Sequence, residues 1–325
     1  MRSEAVRTAH STFLDELAAD VRAGLGSTGQ KSFPSRYLYD DLGSALFEAI
    51  GFLPEYGLTR ADERIVRTHA REIAGAMRGP VTVAELGSGS GRKTRWILDA
   101  LGSARPVTYY PIDISSAALE RCEQELSRLP SVHVEPIEAD YLSGLSLVAS
   151  RRRKDERLLL LFLGSTIGNF EPDDAAEFIR EVRRRLRPGD GFLLGTDLVK
   201  PAPDLIAAYD DALGVTAAFN LNLLRRINRE LDADFDLENF HHEARWSPAE
   251  KRVEMHLVSK LPHMVTIPAI DFGVRFRAGE SIWTESSYKF DRNDPARMSK
   301  RAGLVFTAQW LDREWPFAES LLIAG

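Results

Sequence analysis

The 325-residue chain contains a single cysteine, Cys122. One thiol excludes an intramolecular disulfide and a cysteine-rich zinc site, and it fits a reducing, cytoplasmic setting with no metal centre. A basic surplus is also lacking. The 42 Lys and Arg stand against 48 Asp and Glu, a formal net charge of −6. That argues against a protein whose main partner is a nucleic-acid backbone, which calls for a basic surplus. The longest strongly apolar run, Leu158–Leu163, falls far short of the ~20 residues that span a bilayer. No apolar signal segment follows Met1-Arg2-Ser3-Glu4. There is neither an internal repeat nor a low-complexity tract. The one basic cluster, Arg151-Arg152-Arg153-Lys154, reads as a solvated loop before a strand, with an electrostatic docking patch as the alternative.

What remains is a globular composition, 44% hydrophobic and 28% charged, with length for about two domains at ~150 residues each. The middle of the chain alternates strand and helix. Strands are expected at Val81–Leu86, Val107–Asp113, Val132–Ile137, Leu158–Leu163 and Gly191–Asp197. Helices are expected at Lys93–Leu101, at Ser115–Leu129 with Ser115 as N-cap, and after Pro172. Alternation of this kind gives a parallel, doubly wound sheet, which binds ligands beyond the carboxyl ends of its strands. After Lys200 the pattern changes. Pro201 and Pro203 open a helical stretch to about Leu213, and Thr216 is placed to cap a helix through Leu231. Arg252–Ser259, Val265–Ile270 and Phe272–Arg277 look like antiparallel strands. A helix at Pro295–Ala302 and strands near Leu304–Trp310 and Ser320–Ile323 would close the first sheet. The expected division is a sheet domain, 61–199 with 288–325, and a smaller α+β domain, 1–60 with 200–287.

Glu85-Leu86-Gly87-Ser88-Gly89-Ser90-Gly91 follows the first strand and precedes a helix. Glycines there permit a tight turn and close backbone approach to a ligand. A dinucleotide loop wants G-x-G-x-x-G, but here Arg92 takes the position of its last glycine. The pattern E-x-G-x-G-x-G instead resembles the first motif of class I S-adenosylmethionine-dependent methyltransferases, a Rossmann-like fold. Each part of that cofactor has a candidate partner. Lys93 and the helix N-terminus suit its carboxylate, Asp113 its ribose diol, Asp140 its adenine amino group and Tyr141 the ring face. The plain alternative for Asp113 and Asp140 is a turn or capping role. Gly164-Ser165-Thr166-Ile167-Gly168-Asn169 follows the fourth strand at the switch point. Asn169 there offers donor and acceptor together, or else caps the helix that begins at Pro172.

Longer segments carry a more specific resemblance. They are Tyr37-Leu38-Tyr39-Asp40, Leu53-Pro54-Glu55-Tyr56, the glycine loop, Phe162–Asn169, Gly195-Thr196-Asp197-Leu198-Val199-Lys200, Ala208–Asp211, Val215–Asn220, Glu254-Met255 and Thr284-Glu285-Ser286-Ser287. In these the chain resembles the L-histidine Nα-methyltransferase family, which forms trimethylhistidine (hercynine) on the route to ergothioneine. The resemblance implies a two-domain enzyme with substrate in the cleft between domains. It implies Asn169 and Tyr209 at the substrate carboxylate, Glu285 and Ser287 at the imidazole beside Ser286, and Tyr56 across the ring. Tyr39 and the Gly164 backbone would lie near the α-amine, forming the reacting centre with Asn169. Met255 and Phe219 would wall the pocket, and Glu85, Gly87, Ser88 and Gly89 join the cofactor set. The substrates implied are L-histidine and its mono- and dimethyl forms, handled by a monomer with no membrane or nucleic-acid partner. Relatives act on other amino acids, tryptophan among them. The Gly57-Leu58 pair departs from the bulkier residues expected after Tyr56.

Overall fold

The computed structural model describes residues 2–325, with side chains from residue 13 onward, so Met1 lies outside the described residues. The chain divides into two compact units. One comprises Met1–Glu55 with Ala202–Ser286, the other Tyr56–Pro201 with Ser287–Gly325.

The second unit is built on one sheet. Its strand order is Leu304–Asp312, Phe317–Ala324, Gly191–Asp197, Arg157–Phe162, Val81–Leu86, Val107–Asp113, Val132–Val134, with Ile137–Glu138 also on Val107–Asp113. The strands from Gly191–Asp197 to Val132–Val134 run parallel. Phe317–Ala324 and Leu304–Asp312 close the edge as an antiparallel pair. Alternation along each strand sends neighbouring side chains to opposite faces. Leu158, Leu160 and Phe162 pack with Leu145, Val148, Phe178 and Val182 from the helices Tyr141–Arg151 and Pro172–Arg185. Leu159 and Leu161 pack with Val66, Ile73, Ile97, Leu98 and Cys122 from Gly57–Ala76, Arg95–Gly102 and Ser116–Leu126. Two helical layers therefore sandwich the sheet, which explains a strand that is apolar at every position. Each buried leucine contributes about 1.5–3 kcal/mol. After Val81–Leu86 the chain adds strands on one side, then returns to the other at Arg157–Phe162. The switch point lies between these two strands, at the Gly87 and Gly164 loops.

Several expectations are corrected. The third strand is split into Val132–Val134 and Ile137–Glu138, because Pro136 has no N–H to give the ladder. Arg152 is not solvated. Its side chain is 0% exposed and pairs with Asp190 at 2.7 Å, behind the helix Tyr141–Arg151 that the sequence pattern did not reveal. The helix Val215–Leu231 is not capped by Thr216. Gly214 is its N-cap, and Asp211 accepts from the N–H groups of Val215 and Thr216 at 3.0 and 2.8 Å. The preceding helix stops at Tyr209 rather than Leu213.

The first unit has a sheet ordered Lys31–Ser32, Ser281–Tyr288, Arg252–Ser259, Phe240–Ser247, and a separate hairpin of His263–Ile267 with Phe272–Phe276. The strand Ser281–Tyr288 runs on into the second unit's sequence at Ser287. Helices Arg2–Leu25, Asp41–Ile50, Ala202–Tyr209 and Val215–Leu231 complete it. Among the described residues, no helix is long and apolar enough to cross a membrane.

Candidate active site

The glycine loop leaves the strand Val81–Leu86 with Gly87, Gly89 and Gly91 at φ of +68°, +52° and +66°, a region closed to most side chains. Each glycine has its own neighbour. A Cβ on Gly91 would lie 2.5 Å from Cys122 Sγ, so the loop rests on the buried thiol. A Cβ on Gly87 would lie 3.2 Å from the Tyr141 hydroxyl, and one on Gly89 would meet nothing within 4 Å. The loop is therefore packed from below and open above Gly89. Ser88 is buried between them. Cys122 is an inert packing group, with burial pushing its thiol up to about 12.

Asp113 ends the second strand and ties the loop down. Its Oδ2 accepts from Gly89 N at 3.1 Å and its Oδ1 from Ser115 N at 3.0 Å. Burial raises its pKa despite those donors. Two bonds leave part of its acceptor capacity for a diol, since a carboxylate offers about four lone-pair sites. Asp140 caps the helix Tyr141–Arg151 through Leu142 N and Ser143 N at 3.1 and 3.0 Å. Partial burial opposes its ionisation, but those donors prevail and hold the carboxyl below the usual range. The capping role and exposure to ligand coexist, because Asp140 remains on the surface. Tyr141 packs edge-on against Phe162 and Phe178 beside Gly87.

Glu85 sits beneath the loop at 2% exposure and accepts from Thr94 Oγ1 at 2.6 Å and the Tyr109 hydroxyl at 2.5 Å. Burial outweighs both and raises its pKa to about 7. Lys93 donates to Asp62 Oδ2 while keeping 23% of its side chain exposed. The same oxygen accepts from Gly164 N at 2.8 Å. Gly164 has φ +70°, and Ser165 follows at +56°, a left-handed conformation that costs a serine about 1–2 kcal/mol. The Ser165 hydroxyl holds it there by accepting from Asp197 N at 2.8 Å. Asn169 ends the short turn Thr166–Asn169. The helix Pro172–Arg185 takes Glu171 as its N-cap, so the amide of Asn169 is not used in capping it.

At the end of Ser281–Tyr288, Ser287 is buried and its hydroxyl accepts from Lys289 Nζ at 2.8 Å. Lys289 and Lys200 both pair with Asp197, at 3.0 and 2.6 Å, and Trp315 Nε1 donates to it at 3.0 Å. Burial opposes ionisation of Asp197, but the two lysines prevail and lower its pKa. Tyr56 is buried at the N-cap of Gly57–Ala76.

In the first unit, Tyr39 and Phe219 meet edge to face at 5.5 Å between ring centroids, with Phe47 against both. Tyr209 is placed by His242, whose Nε2 donates to the Tyr209 carbonyl at 2.7 Å. A carbonyl only accepts, so Nδ1 is left to accept from Asn220 Nδ2 at 2.9 Å. Met255 is buried on Arg252–Ser259, and its carbonyl accepts from Thr284 Oγ1 at 3.0 Å. Glu285 is 8% exposed. Strand alternation puts Glu285 and Ser287 on one face and Ser286 on the other.

The profile of a family described as histidine-specific, S-adenosylmethionine-dependent methyltransferases matches residues 17–324. The chain belongs to this family. It is 42% identical to a histidine N-alpha-methyltransferase of Mycolicibacterium smegmatis, over 95% of each chain. It is 29% identical to an ergothioneine biosynthesis protein 1 of Neurospora crassa, over 87% of this chain and 32% of that one. An L-tryptophan methyltransferase of Psilocybe serbica is 26% identical, over 91% of this chain and 89% of that one.

A methyltransferase of this family needs a place for S-adenosylmethionine, and the residues present fit it. The open space over Gly89, the Asp113 carboxylate beside it and the partly exposed ammonium of Lys93 supply room, a diol acceptor and a counter-charge. Three residues of this histidine-specific methyltransferase escaped sequence reasoning: Asp62, Lys289 and Glu319. Asp62 lies on the buried stripe of its helix with Leu58, Ile65 and Val66, and Glu319 lies inside the apolar run 317–323. An acid on an apolar stripe is the signal that was there to read.

Proposed function

We propose that this chain transfers methyl groups from S-adenosylmethionine to the α-amino nitrogen of L-histidine, three in succession, giving Nα,Nα,Nα-trimethylhistidine for ergothioneine synthesis. The observation that carries the substrate reading is Glu285, a carboxylate almost fully buried on the strand face that also bears Ser287. When bound, S-adenosylmethionine supplies a methyl carbon that already carries its leaving group. The chain's own work is then alignment of a neutral amine, where proximity contributes most. Asn169 and Tyr209 hold the substrate carboxylate. Glu285 accepts from one ring nitrogen. Ser287, whose hydroxyl accepts from Lys289, reads the other ring nitrogen, and a carboxylate on one side with a hydroxyl on the other favours one neutral tautomer. Tyr56 lies across the ring, and Phe219 and Met255 wall the pocket. Tyr39 and the Gly164 backbone flank an amine that loses a hydrogen-bond donor at each transfer. Ammonium protons leave to water or through a tyrosine hydroxyl. The cofactor rests on Gly87, Ser88 and Gly89, with Lys93 at its carboxylate, Asp113 at its ribose, and Asp140 and Tyr141 at its adenine. This enzyme is read as a cytoplasmic monomer acting on small molecules.

Incubation with S-adenosylmethionine and the twenty amino acids, followed by mass spectrometry, tests the proposal. Histidine is expected to gain one, two and then three methyl groups. Methylation of tryptophan with histidine untouched would overturn it in favour of a tryptophan enzyme. Cofactor uptake without any turnover would make the chain a binding module.

A further inference from the structure

Behind Gly164 the second unit holds ionisable groups that methyl transfer does not use. Asp62 and Glu319 are both 0% exposed. Asp62 Oδ2 takes two donors, Gly164 N–H and the Lys93 ammonium. Asp62 Oδ1 has no donor, and neither has either oxygen of Glu319. An ionised carboxylate only accepts, so two of them facing each other satisfy none of these three oxygens and repel. Placing one proton between them turns a Glu319 oxygen into a donor for Asp62.

The packing around Glu319 is close. It pairs across the sheet with Gly195. A Cβ there would lie 2.6 Å from Glu319 Oε1 and 3.3 Å from Gly164 N. Gly195 thus makes room for the carboxyl directly against the Gly164 backbone. The charged and titratable groups facing Glu319 are Asp62 from helix Gly57–Ala76, Lys93 from the segment after the glycine loop, and Glu85 from strand Val81–Leu86. Asp62 takes the cationic donor and a backbone N–H, so it is the ionised member. Burial and the facing carboxylate of Asp62 push Glu319 well above the usual carboxylate range, against the weaker pull of Lys93.

We propose that Asp62 and Glu319 share one proton, carried by Glu319, and that this proton sets the charge behind Lys93 and so the affinity for the anionic end of the cofactor. With the proton in place, Lys93 and Asp62 cancel. Without it, the group carries a net negative charge that opposes an incoming carboxylate. Glu319 is then a positioning residue, acting through Asp62 on Lys93 and on the Gly164 N–H. The affinity part rests on Lys93 meeting the cofactor's carboxylate. The shared proton does not.

Two measurements on the full chain separate these. Infrared spectroscopy at neutral pH is expected to show a protonated-carboxyl carbonyl component that Glu319→Gln removes and that persists in Glu85→Gln, apart from the contribution of Glu85 itself, whose carboxyl is raised to about 7. Absence of such a band overturns the shared proton. Calorimetric titration with S-adenosylhomocysteine is expected to show affinity falling between pH 7 and pH 10 roughly fivefold more in the wild type than in Glu319→Gln. Superimposable profiles overturn the control of affinity. No binding in any variant at any pH removes the cofactor reading itself and leaves the infrared result standing. Should Glu319→Gln fail to fold, Asp62→Asn replaces it. Removing the ionised acceptor is expected to shift the Glu319 band, and an unmoved band overturns the pairing.

Discussion

Lys289 donates to the Ser287 hydroxyl at 2.8 Å while its own charge is held by Asp197 at 3.0 Å. The Ser287 oxygen is thereby committed as an acceptor on that side. Lys289→Met frees the hydroxyl to rotate and is expected to lower kcat/KM for histidine about tenfold, chiefly through KM. Lys200 still pairs with Asp197, so the variant should fold with a Tm reduced by several degrees. An unchanged kcat/KM would show that Ser287 needs no orienting partner.

Glu285→Ala removes the carboxylate proposed to read the imidazole. A hydrogen bond to a charged group is worth about 1.5–3 kcal/mol, or roughly 10–100-fold in kcat/KM for histidine. Activity toward tryptophan should rise relative to histidine, because an apolar ring would no longer leave a buried carboxylate unpaired. Steady-state kinetics with both amino acids decide this. Wild-type kcat/KM for histidine in the variant would refute the imidazole assignment.

Gly91→Ala places a Cβ 2.5 Å from Cys122 Sγ at φ +66°. Strain and contact together are expected to cost about 1–3 kcal/mol and to weaken binding of S-adenosylhomocysteine by tenfold or more. Adding Cys122→Ala relieves the contact and leaves the dihedral strain, so calorimetry on the double variant should show partial recovery. No recovery would mean that the loop is not supported by the thiol.

Two titrations act on stability in opposite directions. Burial lowers the imidazole pKa of His242 and His256. The unfolded chain binds those protons first as pH falls through ~6.5, so their contribution is complete above that pH and is lost below it. His242→Asn should reduce the decline in Tm between pH 7 and pH 5 by roughly 2–4 °C. Glu85 runs the other way. Its carboxyl rises from 4.5 to about 7 on folding, so its contribution is complete below pH 4.5 and is lost as pH rises through about 7. Differential scanning calorimetry of Glu85→Gln should find the wild type's advantage shrinking from pH 5 to pH 8. An advantage that grows would contradict the raised pKa.

Much of the sheet unit was legible because its strands state their environment. A run like Leu158–Phe162 has apolar side chains on both faces, and glycines mark the turns at the switch point. Legibility failed where a local rule interrupted that signal, as at Pro136, or where a strand alternates polar groups. Phe240–Ser247 carries His241, His242, Glu243 and Arg245, and so hid a strand paired along its length with Arg252–Ser259. The same division holds for the candidate site. Asp113 ends its strand, and Asp140 and Asn169 follow theirs, where topology directs attention. An acid on an apolar stripe marks Asp62 and Glu319 as unusual without naming a partner, because Asp62 meets Gly164 across 102 residues of chain and Lys289 meets Asp197 across a comparable span.

Gly57 is the residue that follows Tyr56 where a larger one was expected. A Cβ there would lie 2.3 Å from the indole of Trp315, which also meets Asp197 and the Lys200 ammonium. The choice of glycine is thus a choice about position 315. Homologues with a bulky residue at the first site are expected to carry a smaller one at the second, and exchanging either position alone between such proteins should fail where exchanging both succeeds. Sequence divergence beside Tyr56 would then record a swap of volume across the chain rather than a change of substrate.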